Sequence, residues 1–126
     1  MLCLVSALAF HGLTTRIPHR VEIAVAPGAR TPKLMHPPMT VYRFGGRALT
    51  EGVERHVIDA TSVRIFSASK TVADCFKFRN RIGIDVAIEA LREYLRKRGR
   101  SIDELLRFAD LNRVRRVMMP YIEATL

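Results

Sequence analysis

The sequence predicts an α+β fold: an N-terminal helix, a small, largely antiparallel sheet of about four strands, and a C-terminal group of about four helices. Three observations carry this expectation. Alternating, β-branched runs such as Val21-Glu22-Ile23-Ala24-Val25 and Thr40-Val41-Tyr42-Arg43-Phe44 fall in the first half. The second half repeats at helical spacing, through Val72, Cys75, Phe76, Arg79 and Ile82 and then Ile84, Ala87, Ile88, Leu91, Tyr94 and Leu95. Only Gly83 separates those two runs, and two adjoining amphipathic helices need a sheet or further helices to cover their apolar stripes. At 126 residues and 48% hydrophobic content, the chain fits one folded domain over 1–126.

Taken in order, Leu2, Val5, Leu8 and Ala9 mark the apolar face of the first helix, which Gly12 is placed to end. This apolar opening lacks the preceding basic residues of a signal peptide and is too short to span a bilayer. Pro18 makes Leu13 to Arg20 a connector, and Val21 to Val25 reads as a strand stopped by Pro27-Gly28. Pro27 to Pro38 holds four of the six prolines, with Arg30, Lys33 and His36, and reads as an exposed loop open to a partner. Thr40 to Phe44 gives a second strand ending at Gly45-Gly46, and Leu49 to Gly52 reads as a turn. Val53 to Ile58 and Val63 to Phe66 follow as strands, with Asp59-Ala60-Thr61-Ser62 turn-prone between them, which favours a hairpin.

Ser67 or Ser69 can cap the next helix, expected over Lys70 to Ile82. A second helix runs Ile84 to Arg98 and ends at Gly99. Ser101 caps a third, with Asp103 and Glu104 complementing its N-terminus, and Arg113 to Ala124 makes the fourth. Pro120 lies within that last pattern, so a kink or break is expected near Met119.

The chain carries 21 Lys and Arg against 12 Asp and Glu, a formal charge of +9 that attracts polyanions without sequence selectivity. From Lys77 to Arg100, eight basic residues stand against three acidic ones, a local excess of five. The plainer reading of such a run is a solvated helix face, with Arg96 to Arg98 stabilising the helix C-terminus; the sharper one is a contact surface for RNA, DNA or an acidic protein.

Catalytic chemistry finds little support. His11, His19, His36 and His56 are scattered, without the i, i+4 spacing that sets two ligands on one helical face. Cys3 and Cys75 sit in apolar surroundings, away from any metal-binding spacing, and read as buried hydrophobes suited to a reducing cytoplasm. Lys70-Thr71 has no glycine loop before it, so there is no phosphate-binding loop of the usual kind. A metal-dependent nuclease would need gathered carboxylates, for which Asp59, with Glu22 and Glu54 as companions, is the nearest candidate set. No cofactor is expected. Lys70 and Asp74, four residues apart on one helix, can also simply pair with each other.

The run from Ser6-Ala7-Leu8 through His11-Gly12-Leu13-Thr14, then Ile17-Pro18, and above all Lys70-Thr71-Val72-Ala73-Asp74-Cys75-Phe76-Lys77-Phe78-Arg79-Asn80-Arg81-Ile82-Gly83 with Ala87 to Leu91, resembles the AbiEi family. These are antitoxins of bacterial type IV toxin–antitoxin, or abortive infection, systems. The most specific part is the Lys-Thr-x-x-Asp-Cys block with the Arg-Asn-x-x-Gly that follows. The resemblance covers nearly the whole chain. It implies a non-enzymatic protein opposing a nucleotidyltransferase-like toxin, which it need not grip directly. Members carry an N-terminal winged helix-turn-helix that binds operator DNA and represses their own operon, then a C-terminal domain associated with antitoxicity. This chain starts where that second domain would start, so the expectation is a stand-alone antitoxin domain or a shortened reading frame. The residues expected to meet a partner or nucleic acid are Lys70, Asp74, Lys77, Arg79, Arg81, Arg92 and Arg96.

Overall fold

A computed structural model describes residues 1–31 and 38–126; most of the expected loop between Pro27 and Pro38, with Lys33 and His36, lies outside the described residues. In chain order the elements are α1 (Leu4–His11), β1 (Val21–Val25), β2 (Met39–Arg43), α2 (Arg47–Thr50), β3 (Val53–Ile58), β4 (Thr61–Phe66), α3 (Ala68–Lys77), α4 (Arg79–Ile82), α5 (Ile84–Arg96), α6 (Ile102–Leu111) and α7 (Arg115–Thr125). The architecture is α+β: an N-terminal helix, four strands in two pairs, then the C-terminal helices.

Strands β3 and β4 pair antiparallel, closing with Ile58 opposite Thr61 across Asp59-Ala60, so the hairpin is tighter than expected. Strands β1 and β2 run parallel instead, from Val21 opposite Met39 to Val25 opposite Arg43. The reason is the link: residues 26–38 are long enough to carry the chain back to the same end of the sheet, which a hairpin turn is not.

The two pairs meet through the first residues of the chain. Leu2 bridges Ile23 in antiparallel and Ile65 in parallel fashion. Its N–H donates to the Arg64 carbonyl at 3.0 Å, its carbonyl accepts from Phe66 N–H at 3.2 Å, and Cys3 N–H donates to the Glu22 carbonyl at 3.0 Å. Leu2 is therefore extended rather than helical, and the buried face of α1 is Leu4, Ala7 and Leu8, not the expected Leu2, Val5, Leu8 and Ala9. Gly12 ends α1 as anticipated, at φ 69°, a left-handed cap that an L side chain adopts only at a cost.

The chain is wrapped round α3. Residues from Ser69 to Phe76 are all buried, and the helix packs on α1, α5 and α6. Ser67 supplies its cap, accepting from Lys70 N–H at 3.3 Å. The helix expected over Lys70 to Ile82 is interrupted at Phe78, which separates α3 from α4. Phe76, Leu91, Leu105, Phe108 and Met118 are wholly buried around α3, each contributing about 1.5–3 kcal/mol by its removal from water. Ser101 caps α6 through Glu104 N–H at 3.0 Å. The expected turn before Gly52 is the short helix α2. Helix α7 runs unbroken through Pro120. Pro120 cannot bond the Arg116 carbonyl, but both residues are exposed, so water can satisfy that oxygen.

Candidate functional site

Lys70 and Asp74 are not on the surface. Both are fully buried, and Lys70 Nζ donates to the two Asp74 carboxylate oxygens at 2.8 and 2.7 Å. Asn112, the residue that caps the C-terminus of α6, donates from Nδ2 to Asp74 Oδ1 at 2.7 Å, while its own Oδ1 has no partner among the described residues. The ammonium also lies 3.8 Å from the centre of the Phe66 ring and 4.7 Å from that of Phe44. Burial pushes the Asp74 carboxyl up to about 6, against the pull of Lys70 and Asn112, and pushes the Lys70 ammonium down. The two residues hold the core together and present nothing to a partner, which corrects their expected contact role. Sequence spacing allowed the pair; the burial followed from α3 being covered on every side.

The next three expected contacts sit at the break between α3 and α4. Lys77 and Arg81 are exposed and Arg79 is half-buried. Arg79 Nη1 donates to the Phe76 carbonyl at 2.7 Å, closing the end of α3, and the Arg81 guanidinium stacks 4.1 Å from the centre of the Tyr42 ring. Lys77 Nζ lies within 6 Å of the Phe44 and Phe78 ring centres, at 5.9 and 5.8 Å. The cluster is positively charged, and Arg79 and Arg81 already have structural work.

Arg92 and Arg96 are different. One turn apart on α5 and exposed, they stand over a groove of about 360 Å³ between α5 and α7, lined also by Ile88, Leu95, Arg100 and Tyr121. A second depression of about 490 Å³ continues along α5 past Asp85 and Glu89. The acidic residues there are engaged: Asp85 with Arg16 at 3.0 Å, Glu89 with Thr15 N–H at 3.1 Å, and Glu93 with Arg96 at 3.1 Å. Arg92 and Arg100 have no acidic partner among the described residues. Arg100 belongs to the basic run read from the sequence, but Tyr121 was not legible as a site residue, since only the packing of α7 on α5 brings it beside Arg92.

The carboxylates considered for a nuclease do not gather. Asp59 is exposed at the hairpin tip, Glu54 bonds His56 Nε2 at 2.8 Å, and Glu22 accepts from Val5 N–H at 2.7 Å and Tyr42 OH at 2.8 Å. His11 Nε2 lies 2.8 Å from the Phe66 carbonyl, and His19 is exposed. Among the described residues no group of three or more His, Cys, Asp or Glu is placed to hold a metal ion. Cys3 and Cys75 are free and buried, and burial raises both thiols well above their ordinary range. Among the described residues no helix is long and apolar enough to cross a membrane. No protein-family model and no curated protein matches the chain.

Proposed function

We propose that this chain is an antitoxin domain of AbiEi type, counteracting a nucleotidyltransferase-like toxin in the cytoplasm of a bacterium and acting through its basic exterior rather than through a reaction of its own. The observation that carries the reading is the exposed arginine row of α5 and the turn after it, with Arg92 and Arg100 unmatched by acid among the described residues, on a chain of net charge +9. The likeness of the Lys70 to Gly83 block to that family supports it; within the block, Lys70 to Phe76 is the buried centre on which the domain is assembled, and α4 has no buried residue. Contact falls to Arg92 and Arg96, with Lys77 and Arg81 as a second cluster; Lys70 and Asp74 act only by holding α3 in place.

The test is co-expression with the toxin encoded beside it. Growth arrest relieved by the wild-type chain, and relieved less by Arg92→Glu/Arg96→Glu, supports the reading; arrest unrelieved by a soluble wild-type chain sinks it. A second reading, a nucleic-acid-binding regulator with no toxin, is favoured by the same unmatched arginines and predicts binding to DNA or RNA that weakens steeply with salt.

A further inference from the structure

We propose that the groove between α5 and α7 is a binding site for single-stranded nucleic acid, with Tyr121 as a stacking platform for a base and Arg92, Arg96 and Arg100 as the phosphate contacts. The inference deepens, and rests on, the reading of α5 as the working surface.

The groove joins two chemistries that a single strand needs together. Arg92 and Arg96 follow one another by about 6 Å along the helix axis, and Arg100 continues from the turn after α5, so cations track one side of the groove. On the other side the Tyr121 ring is half-buried, steadied by the Phe76 ring 5.8 Å away between centres, and forms part of the groove wall. Its hydroxyl makes no hydrogen bond among the described residues, unlike those of Tyr42 and Tyr94, which bond Glu22 and Ser101. Ile88 and Leu95 add an apolar floor. A backbone-tracking positive groove with an aromatic face is how single strands are held without sequence selectivity. A duplex keeps its bases stacked inside and has no use for the ring. An acidic peptide would use the arginines and leave the ring without a planar partner. The volume of about 360 Å³ suits one base and its sugar rather than a helix.

The experiment is fluorescence anisotropy with labelled oligo(dT) and oligo(rU) of about 12 nucleotides, titrated from low to moderate salt, without toxin. Wild type should bind both strands, and more weakly an abasic strand of the same length. Arg92→Ser/Arg96→Ser/Arg100→Ser should cut the slope of log affinity against log salt by about 2, from about 0.7 per phosphate contact. Tyr121→Leu should weaken binding about tenfold while Tyr121→Phe keeps it, with thermal melts to show that both variants fold. Arg55→Ser/Arg64→Ser, from the exposed face of the β3–β4 hairpin, removes two positive charges away from the groove and serves as the control, with little effect. The proposal is overturned by no binding at low salt, by equal binding of abasic and base-bearing strands, by indifference to Tyr121→Leu, or by preference for duplex or for an acidic peptide. Rescue by a wild-type chain that binds no strand would end the groove proposal and leave the antitoxin reading standing; strand binding by a wild-type chain that gives no rescue would do the reverse.

Discussion

Lys70 Nζ lies 2.8 and 2.7 Å from the two carboxylate oxygens of Asp74, and neither side chain is exposed at all. A surface pair at this spacing contributes a few tenths of a kcal/mol, but here each charge is tolerable only because the other is present. Lys70→Met leaves a carboxylate in the core with no cation, and should cost about 3–5 kcal/mol above pH 7. Replacing the set with Lys70→Met/Asp74→Leu/Asn112→Leu should recover most of that loss. Urea melts of the two variants check this; a loss below about 1 kcal/mol for Lys70→Met would contradict the burial.

The same pair sets a pH signature. The Asp74 carboxyl is raised from 3.8 to about 6 in the folded chain, first by burial, so between those values the folded state holds a proton that the unfolded chain has released. Its contribution is present below the unfolded value and is lost as pH rises through about 6. The stability of wild type relative to Asp74→Asn should therefore fall from pH 4 to 6 and level off above about 6.5. Melts of both proteins across that range measure it, and an opposite slope would mean that the attraction of Lys70 outweighs desolvation.

What the sequence made legible was local. The strand Val53–Ile58 has the expected bounds, and Ser101 caps α6 where a serine before two acids announced it. Long-range pairing was hidden. The parallel register of β1 and β2 depends on where a thirteen-residue link returns the chain, and the place of Leu2 between β1 and β4 depends on both strands already being there. Asn112 meets Asp74 from 38 residues away, and no periodicity signals such a contact. The exposure of the α5 arginines was legible because charge outside a helix face is a local property; the place of Tyr121 beside them was not, because it comes from the packing of α7.

Gly52 has φ 78°, and a Cβ there would lie 2.9 Å from both Lys70 Cβ and Phe108 Cζ. The strain of a left-handed alanine and the overlap with two wholly buried side chains act together. Gly52→Ala should cost about 2–3 kcal/mol, seen as a lower urea midpoint with an unchanged slope.

The β3–β4 turn has the opposite fault. Asp59 and Ala60 both adopt positive φ, 49° and 64°, in a two-residue link that normally takes Asn-Gly or Asp-Gly. Ala60→Gly should raise stability by about 1 kcal/mol, because relief of the alanine's strain exceeds the added freedom of the unfolded chain. Chemical denaturation checks this, and a loss on substitution would place the strain elsewhere.

Glu22 joins β1 to the start of α1 and to β2. Cys3 offers α1 no side-chain cap; Glu22 Oε1 takes the Val5 N–H at 2.7 Å instead, Oε2 takes the Tyr42 hydroxyl at 2.8 Å, and the Glu22 N–H donates to Ser6 Oγ at 2.9 Å. The negative charge also suits a helix N-terminus. With both oxygens committed, the carboxylate serves the fold. Glu22→Ala strands two half-buried donors and should cost about 2–3 kcal/mol, whereas Glu22→Gln, which keeps an acceptor and loses the charge, should cost about 1 kcal/mol. A structural carboxylate also predicts that magnesium leaves the melting temperature of wild type where it was, while a resident metal ligand would raise it with concentration by mass action. Melts of the three proteins with and without magnesium separate the two: a magnesium-dependent rise in wild type that Glu22→Gln abolishes would assign Glu22 to a metal and overturn its role as the cap of α1.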